Sequence, residues 1–199
     1  MTASAEVFAR RGFRDATLDE VAESAGFSKG AVYSNFKSKD ELFYALMAER
    51  ISERVESAAE AIQQETDAGS RAAEIGRRLT EKLAEQPDWQ LLFIEFWSRA
   101  VRDPEMRVEF ARRRRPLRVP IAALIQQAAD DLDVELPVPA DHLAVAVLAL
   151  SNGLAIESLA DPGSVSSELF GTVLNLLLAG LTAGPAVSTP QPPSRRPAS

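Results

Sequence analysis

Between Gly26 and Lys39 the chain carries three lysines (Lys29, Lys37, Lys39) and no carboxylate, interleaved with Tyr33, Ser34 and Asn35. Ammonium groups and a phenol hydroxyl suit phosphate oxygens, and a side-chain amide suits a base edge. Gly30 and Ala31 are small enough to let a backbone approach closely. A second concentration of candidates lies farther on, where Trp89, Phe93, Phe96 and Trp97 share one segment. Met106, Phe110, Leu124, Ile125, Asn152 and Leu154 are candidates for adjacent walls. Small-molecule pockets are lined this way, mostly apolar with a few polar groups. Phe93, Phe96, Trp97, Phe110 and Asn152 are the candidate ligand contacts, although aromatic residues at helical spacing equally build a core. Asn152-Gly153 is unusual inside an apolar helix, where glycine costs about 1 kcal/mol and a buried amide needs a partner.

Catalytic chemistry finds little support. The chain has no cysteine and a single histidine, His142, which sits near a helix start beside Asp141. There is no glycine-rich phosphate loop and no His/Asp/Glu set at metal-ligand spacing, so no enzyme activity, metal or cofactor is expected. Asp130, Asp131 and Asp133 read as solvated carboxylates at a helix end, and the run Arg112 to Arg115 points around a helix in all directions.

The elements that position these residues are helical throughout. Leu18, Val21, Ala22 and Ala25 recur at one helical face, behind Thr17 and Glu20, which form a capping box. That short helix stops at Gly26, and Ser28 caps a second one carrying Val32 and Phe36. A second capping box, Ser38 with Glu41, opens a long periodic segment through Leu42, Leu46, Ile51, Val55, Ala59 and Ile62. Phe8, Phe13, Phe27, Val32 and Phe36 are expected in the core. Gly69-Ser70, Gln86-Pro87, Asp103-Pro104, the Leu136 to Pro139 stretch and Asp161-Pro162-Gly163 punctuate the rest as turns. The segments Ala140 to Ala160 and Val165 to Ala183 are apolar on most sides, which asks for burial beyond one chain's own core. Beyond Gly184 the proline-rich composition predicts a disordered tail. The expectation is an all-α chain of three parts: 1–45, 46–183 and the tail 184–199.

The 199 residues carry a formal charge of −7, yet residues 1–39 hold six basic groups against five acidic ones while the remainder holds 16 against 24. A locally positive head on an acidic body is the pattern of a confined polyanion contact. The longest unbroken apolar run, Leu143 to Leu150, is too short to span a bilayer, and Met1 to Glu6 show no secretory leader. A cytoplasmic protein with no membrane partner is expected.

Two short helices joined by a three-residue turn fit the helix-turn-helix plan, though a helical hairpin without that role gives the same spacing. The residues add more. Phe8-Ala9-Arg10-Arg11-Gly12-Phe13, Thr17-Leu18-Asp19-Glu20-Val21-Ala22, Ala25-Gly26-Phe27-Ser28-Lys29-Gly30 and Tyr33-Ser34-Asn35-Phe36-Lys37-Ser38-Lys39-Asp40-Glu41-Leu42 resemble the TetR family of one-component bacterial regulators. The likeness covers about 45 residues of the head; the body resembles the family in helix number and length. The resemblance implies that Thr17 and Tyr33 touch phosphates and that Lys39 does so through its backbone amide. It places Lys29, Gly30, Ala31, Ser34 and Asn35 toward the major groove, with Lys37 as an auxiliary contact.

It further implies a body that binds a small-molecule effector and a homodimer formed through the last two helices. Two heads would then read half-sites roughly 34–36 Å apart, or a multiple of that, on a pseudo-palindromic double-stranded operator. The effector would release the operator, and the resemblance implies repression, the family's usual mode. One departure is that only Met1 to Glu6 precede Val7-Phe8, so the first helix is expected to be about a turn short. That departure and the acidic body leave a competing account: a helical dimer that binds a small molecule or protein partner with little DNA affinity.

Overall fold

A computed structural model describes residues 2–85 and 87–182; the proline-rich 184–199 segment lies outside them. The described residues form helices α1 (Thr2–Asp15), α2 (Leu18–Ser24), α3 (Lys29–Asn35), α4 (Lys39–Gln64), α5 (Ala68–Glu85), α6 (Pro87–Arg102), α7 (Pro104–Arg114), α8 (Val119–Asp131), α9 (Ala140–Ala160) and α10 (Leu169–Thr182). A single 3-10 turn, Pro116–Arg118, precedes α8. The fold is all-α, with an N-terminal helix-turn-helix unit followed by a helical body.

Local chemistry explains most boundaries. Thr17 Oγ1 accepts from the Glu20 amide at 3.2 Å while Glu20 Oε2 accepts from the Thr17 amide at 2.9 Å, the reciprocal box that starts α2. Gly26 takes φ +70° and turns the chain out of α2, with the Phe27 amide donating back to Ala22 O at 2.9 Å. Ser38 Oγ caps α4 through the Glu41 amide at 3.2 Å. The Glu41 carboxylate does not return to Ser38 as a full box requires; it accepts from the Lys37 amide at 2.7 Å, fixing the α3–α4 turn instead.

Three expectations need correction. Gly69-Ser70 is not a turn but the opening of α5, because Asp67 Oδ1 accepts from the Ser70 amide at 3.0 Å and starts the helix earlier. The last helix begins at Leu169 rather than near Val165. Phe27 is not core: it is 66% exposed at the tip of the α2–α3 turn, since the Gly26 reversal swings it outward.

The first helix reaches back to Thr2 and is broken at Gly12, whose φ of +76° is non-helical. This break lets Phe8 and Phe13 both enter the core, their ring centroids 5.2 Å apart. From there a continuous aromatic cluster joins head to body. Phe13 packs edge-on against Phe96 of α6 at 5.1 Å, and Phe96 stacks on Phe43 of α4 at 3.7 Å with planes 10° apart. Trp89, Phe93 and Phe110 complete it. Such ring pairs add to the burial of their large apolar area.

Candidate nucleic-acid interface and effector cavity

The α3 helix turns a single buried side chain, Val32, toward the core, with Phe36 just beyond it partly buried. Lys29, Gly30, Ala31, Tyr33, Ser34, Asn35 and Lys37 are all exposed, so the structure gathers these sequence candidates on one open face. A Cβ built at Gly30 meets nothing within 4 Å, so no contact inside the chain accounts for a glycine there.

Electrostatics on this face are organised by Asp19 of α2. Its carboxylate pairs with Lys29 Nζ, and that hydrogen bond holds Asp19 below the usual carboxylate range and Lys29 above the usual amine range. Asp19 also raises the Tyr33 phenol through hydrogen bonding and its charge, so Tyr33 keeps its O–H at neutral pH. The ion pair is solvent-exposed, and such pairs contribute little and exchange readily. Ser34 Oγ and Asn35 Nδ2 both donate to Ala31 O at 2.8 Å, which orients the two side chains along the face. Among the described residues Lys37 has no ion-pair partner.

The Lys39 side chain is committed inward. Its Nζ donates to Phe13 O at 2.8 Å and Arg14 O at 2.6 Å and lies 5.3 Å from the Phe13 ring centroid. Only the backbone amide at the first turn of α4 is left pointing along the helix axis, where the helix end favours anions. The same two residues after the Gly12 break are held by Glu95 of α6, which accepts from the Phe13 amide at 2.8 Å and the Arg14 amide at 3.4 Å. The segment after the break is therefore held by two elements, through Lys39 on α4 and a carboxylate from the body.

A cavity of about 480 Å3 lies in the body, away from the head, between the second half of α4 and α5, α8, α9 and α10. Ile51, Val55, Ala58 and Ile62 recur along α4 and face Ala72, Ile75 and Leu79 of α5 across it. Alanines where two helices confront each other leave room that larger side chains would fill.

Residues 1–46 match the family described as bacterial regulatory proteins, tetR family, and residues 68–183 match the BetI-type transcriptional repressor C-terminal family. The chain belongs to the TetR family. Among curated TetR-type relatives, the HTH-type transcriptional activator FasR of Mycolicibacterium smegmatis is 37% identical over 67 residues, 34% of this chain and 31% of that protein. The chain thus spans about a third of that relative's length. The HTH-type transcriptional repressor AcnR of Corynebacterium efficiens is 26% identical over 170 residues, 85% of this chain and 84% of that protein. Two solved structures share the fold: FadR of Bacillus subtilis in complex with stearoyl-CoA (TM-score 0.67, 17% identity, 90% and 96% of the two chains). The other is a transcriptional regulator of Saccharomonospora viridis in complex with choline (TM-score 0.55, 21% identity, 89% and 92%).

As in a TetR-family regulator, the helix-turn-helix unit and the body are both present, but the predicted pocket aromatics do not line the cavity. Phe93, Phe96 and Phe110 are buried in the head–body aromatic cluster, and Trp97 is 44% exposed on the flank of α6. Trp89, Phe93, Phe96 and Ala100 form one helical face, so Trp97 is rotated away from it. Asn152 is half-buried on α9 outside the cavity lining, and its neighbour Ser151 lines the cavity instead. Of the suggested wall residues, Leu124 and Ile125 do line it, whereas Met106 packs on the aromatic core.

Arg54 is the cavity residue that sequence reading passed over. Its signal was there: with Ile51, Val55, Ala58 and Ile62 it completes an i, i+3, i+4, i+7, i+11 stripe, so an arginine occupies a position of the apolar face. Glu95 carried no comparable signal, because its partner lies 82 residues away in the chain. Among the described residues no group of three or more potential metal ligands occurs.

Proposed function

We propose that the chain is a dimeric, cytoplasmic transcriptional repressor whose grip on a pseudo-palindromic operator is released when a small molecule fills the body cavity. In this reading residues 1–45 bind DNA and 46–183 bind effector and dimerise. Lys29, Gly30, Ala31, Ser34 and Asn35 face the groove, Tyr33, Lys37, Thr17 and the Lys39 backbone amide meet phosphates, and no enzymatic step is involved. Relatives named as an activator and as a repressor both exist, so the sign of regulation rests on the release mechanism.

The observation that carries the reading is the continuity of α4. One helix begins in the head at Lys39 and passes along the cavity wall at Ile51, Arg54, Val55, Ala58 and Ile62. Fifteen residues separate Lys39 from Arg54, roughly 22 Å along a helix axis. A ligand that repositions the cavity end of α4 moves its head end, and the Glu95 and Lys39 clamp passes that movement to α1. An effector that prefers the shifted arrangement lowers operator affinity by its differential binding, typically 1–3 kcal/mol in such couplings.

Dimerisation through α9 and α10 is supported by apolar surface that a single chain leaves uncovered: Val145 and Ile156 on α9, Leu176 and Leu177 on α10. Helix α9 is long and apolar enough to cross a membrane by length and composition alone. Its Ala144, Leu148, Ser151 and Ala155 are nevertheless buried within the helical body, and the remaining apolar face suits a second subunit.

The test is a titration of purified protein against a genomic fragment library at several salt concentrations, followed by footprinting of the selected site. The expected result is one dimer per palindromic site, with affinity falling as salt rises. Failure to select any site, with the protein folded and dimeric, would overturn the repressor reading and favour a ligand-binding dimer without operator affinity.

A further inference from the structure

The cavity wall is chemically one-sided. Its charged lining residues are Arg54, Arg71, Arg78 and Lys82, and among the described residues no aspartate or glutamate lines it. The cations differ in how far the chain satisfies them. Arg78 makes four hydrogen bonds, to Glu74, Glu60, Gln64 and Ser57 O. Arg71 donates through Nε to Glu65 O at 2.9 Å, but its Nη1 is buried without a hydrogen-bond partner, 3.6 Å from Asp131 Oδ2.

Arg54 is the most poorly matched. Its one hydrogen bond is from Nη1 to Ser151 Oγ at 3.4 Å, and no carboxylate pairs with it among the described residues. The adjacent Glu53 is already engaged with Arg50 at 3.0 Å, and Arg50 adds repulsion. Burial pulls Arg54 down to about 10, which leaves it protonated at neutral pH. A half-buried guanidinium whose one partner is a serine hydroxyl is free to pair with an anion, and its planar fork fits a carboxylate with two parallel hydrogen bonds. Apart from Ser57, Ser151 and Asn175 the rest of the lining is mostly aliphatic, with Phe170 as the single aromatic among the described residues. An aromatic cage for a quaternary ammonium is not built here.

We propose that the cavity binds an amphipathic monocarboxylate, its head paired with Arg54 beside Ser151 and its apolar body lying between α4, α5, α8 and α9. The assignment rests on the cavity being the effector site, and it commits to the charge and shape of the effector. A volume of about 480 Å3 accommodates one chain-like molecule of this kind.

The experiment is calorimetric titration and thermal melting of the full chain, below micellar concentrations, with four probes sharing one tail: dodecanoate, dodecanol, dodecyltrimethylammonium and dodecanoyl-CoA. The expected result is saturable binding of dodecanoate, at least tenfold tighter than dodecanol, with no saturable binding of the ammonium. Arg54→Leu should weaken dodecanoate tenfold or more and leave dodecanol unchanged. The variant should fold, because Arg54 is half-buried, its loss removes one hydrogen bond of 3.4 Å, and leucine continues the apolar stripe of α4. Arg54→Lys should fall between wild type and Arg54→Leu, since an ammonium keeps the charge without the fork.

Binding of the ammonium as tight as that of dodecanoate would overturn the proposal. So would an Arg54→Leu variant that binds dodecanoate like wild type, or binding of dodecanoyl-CoA with none of dodecanoate, which would put the anion outside the cavity. Operator binding measured without any probe separates this from the repressor reading. Operator binding without carboxylate binding sinks the ligand assignment alone; carboxylate binding without an operator sinks the DNA assignment alone.

Discussion

The head and the body handle their chemistry in opposite ways. In the head, α3 keeps one side chain inside and turns Lys29, Tyr33, Ser34, Asn35 and Lys37 to solvent, so its polar groups stay hydrated until a partner arrives. In the body, Arg54 and Ser151 are drawn into a largely aliphatic wall. A surface that reads a polyanion gains from exposed, exchangeable charges, because binding releases counterions. A cavity that must discriminate one small molecule gains from a few poorly hydrated donors, because a ligand lacking the matching group leaves them unpaired. Between these regimes stands the aromatic cluster of Phe13, Phe43 and Phe96, which commits residues from α1, α4 and α6 to a shared core.

Removing that shared core should have the largest effect. Phe96→Ala deletes a fully buried ring that touches both regions, and a loss of about 4 kcal/mol of stability is expected from large-to-small core changes of this type. Chemical denaturation followed by circular dichroism reads it directly. Separate transitions for head and body in this variant would mark the cluster as the link between them. A single transition with an unchanged midpoint would show that the two regions do not depend on it.

Two glycines give the next contrast. At Gly76 a Cβ would stand 2.5 Å from Gly171 Cα, where α5 crosses α10 backbone to backbone. Gly76→Ala should therefore cost about 3 kcal/mol, at the upper end of overpacking, because backbone cannot step aside as a flexible side chain can. The same change at Gly30 meets open space, and alanine is the better helix former by up to about 1 kcal/mol. Gly30→Ala is expected to melt no lower than wild type while losing operator affinity. If Gly30→Ala binds the operator normally, the close approach assigned to that face is wrong.

Glu95→Gln tests the connection more gently. Glu95 is exposed, and its bonds to the Phe13 and Arg14 amides cross only the Gly12 break, so a stability change under about 1 kcal/mol is expected. The sharper readout is the ratio of operator affinities with and without bound ligand. That ratio should shrink toward one in the variant, and an unchanged ratio would remove Glu95 from the coupling.

What could be read from sequence follows the range of the interactions involved. The caps at Thr17, Ser28 and Ser38 and the reversal at Gly26 act within five residues, so α2, α3 and the start of α4 were legible residue by residue. The limits of α9 followed from prolines on both sides of an apolar segment. Phe27 was misplaced because the direction in which the turn throws its side chain depends on how the hairpin docks, not on its hydrophobicity. The aromatic run of α6 looked like a pocket, but its partners Phe13 and Phe43 lie more than 40 residues earlier. The cavity itself is made of alanines, isoleucines and leucines whose types do not announce a space; only the arginine in the apolar stripe of α4 marked the place.

The smallest expected effect returns to the exposed side of the comparison. Lys37 follows α3, is exposed, and has no ion-pair partner among the described residues, so Lys37→Ala should leave folding untouched. If its role is one phosphate contact, the variant binds all DNA sequences more weakly by a similar factor and lowers the slope of log affinity against log salt by about 1. Lys29→Ala should differ in kind, because Lys29 already pairs with Asp19 and its loss frees a carboxylate beside Tyr33 on the binding face. A larger affinity loss is expected there than at Lys37, with part of it recovered when Asp19→Asn is added. Absence of that recovery would mean that Asp19 is held clear of the DNA and that the two lysines act independently.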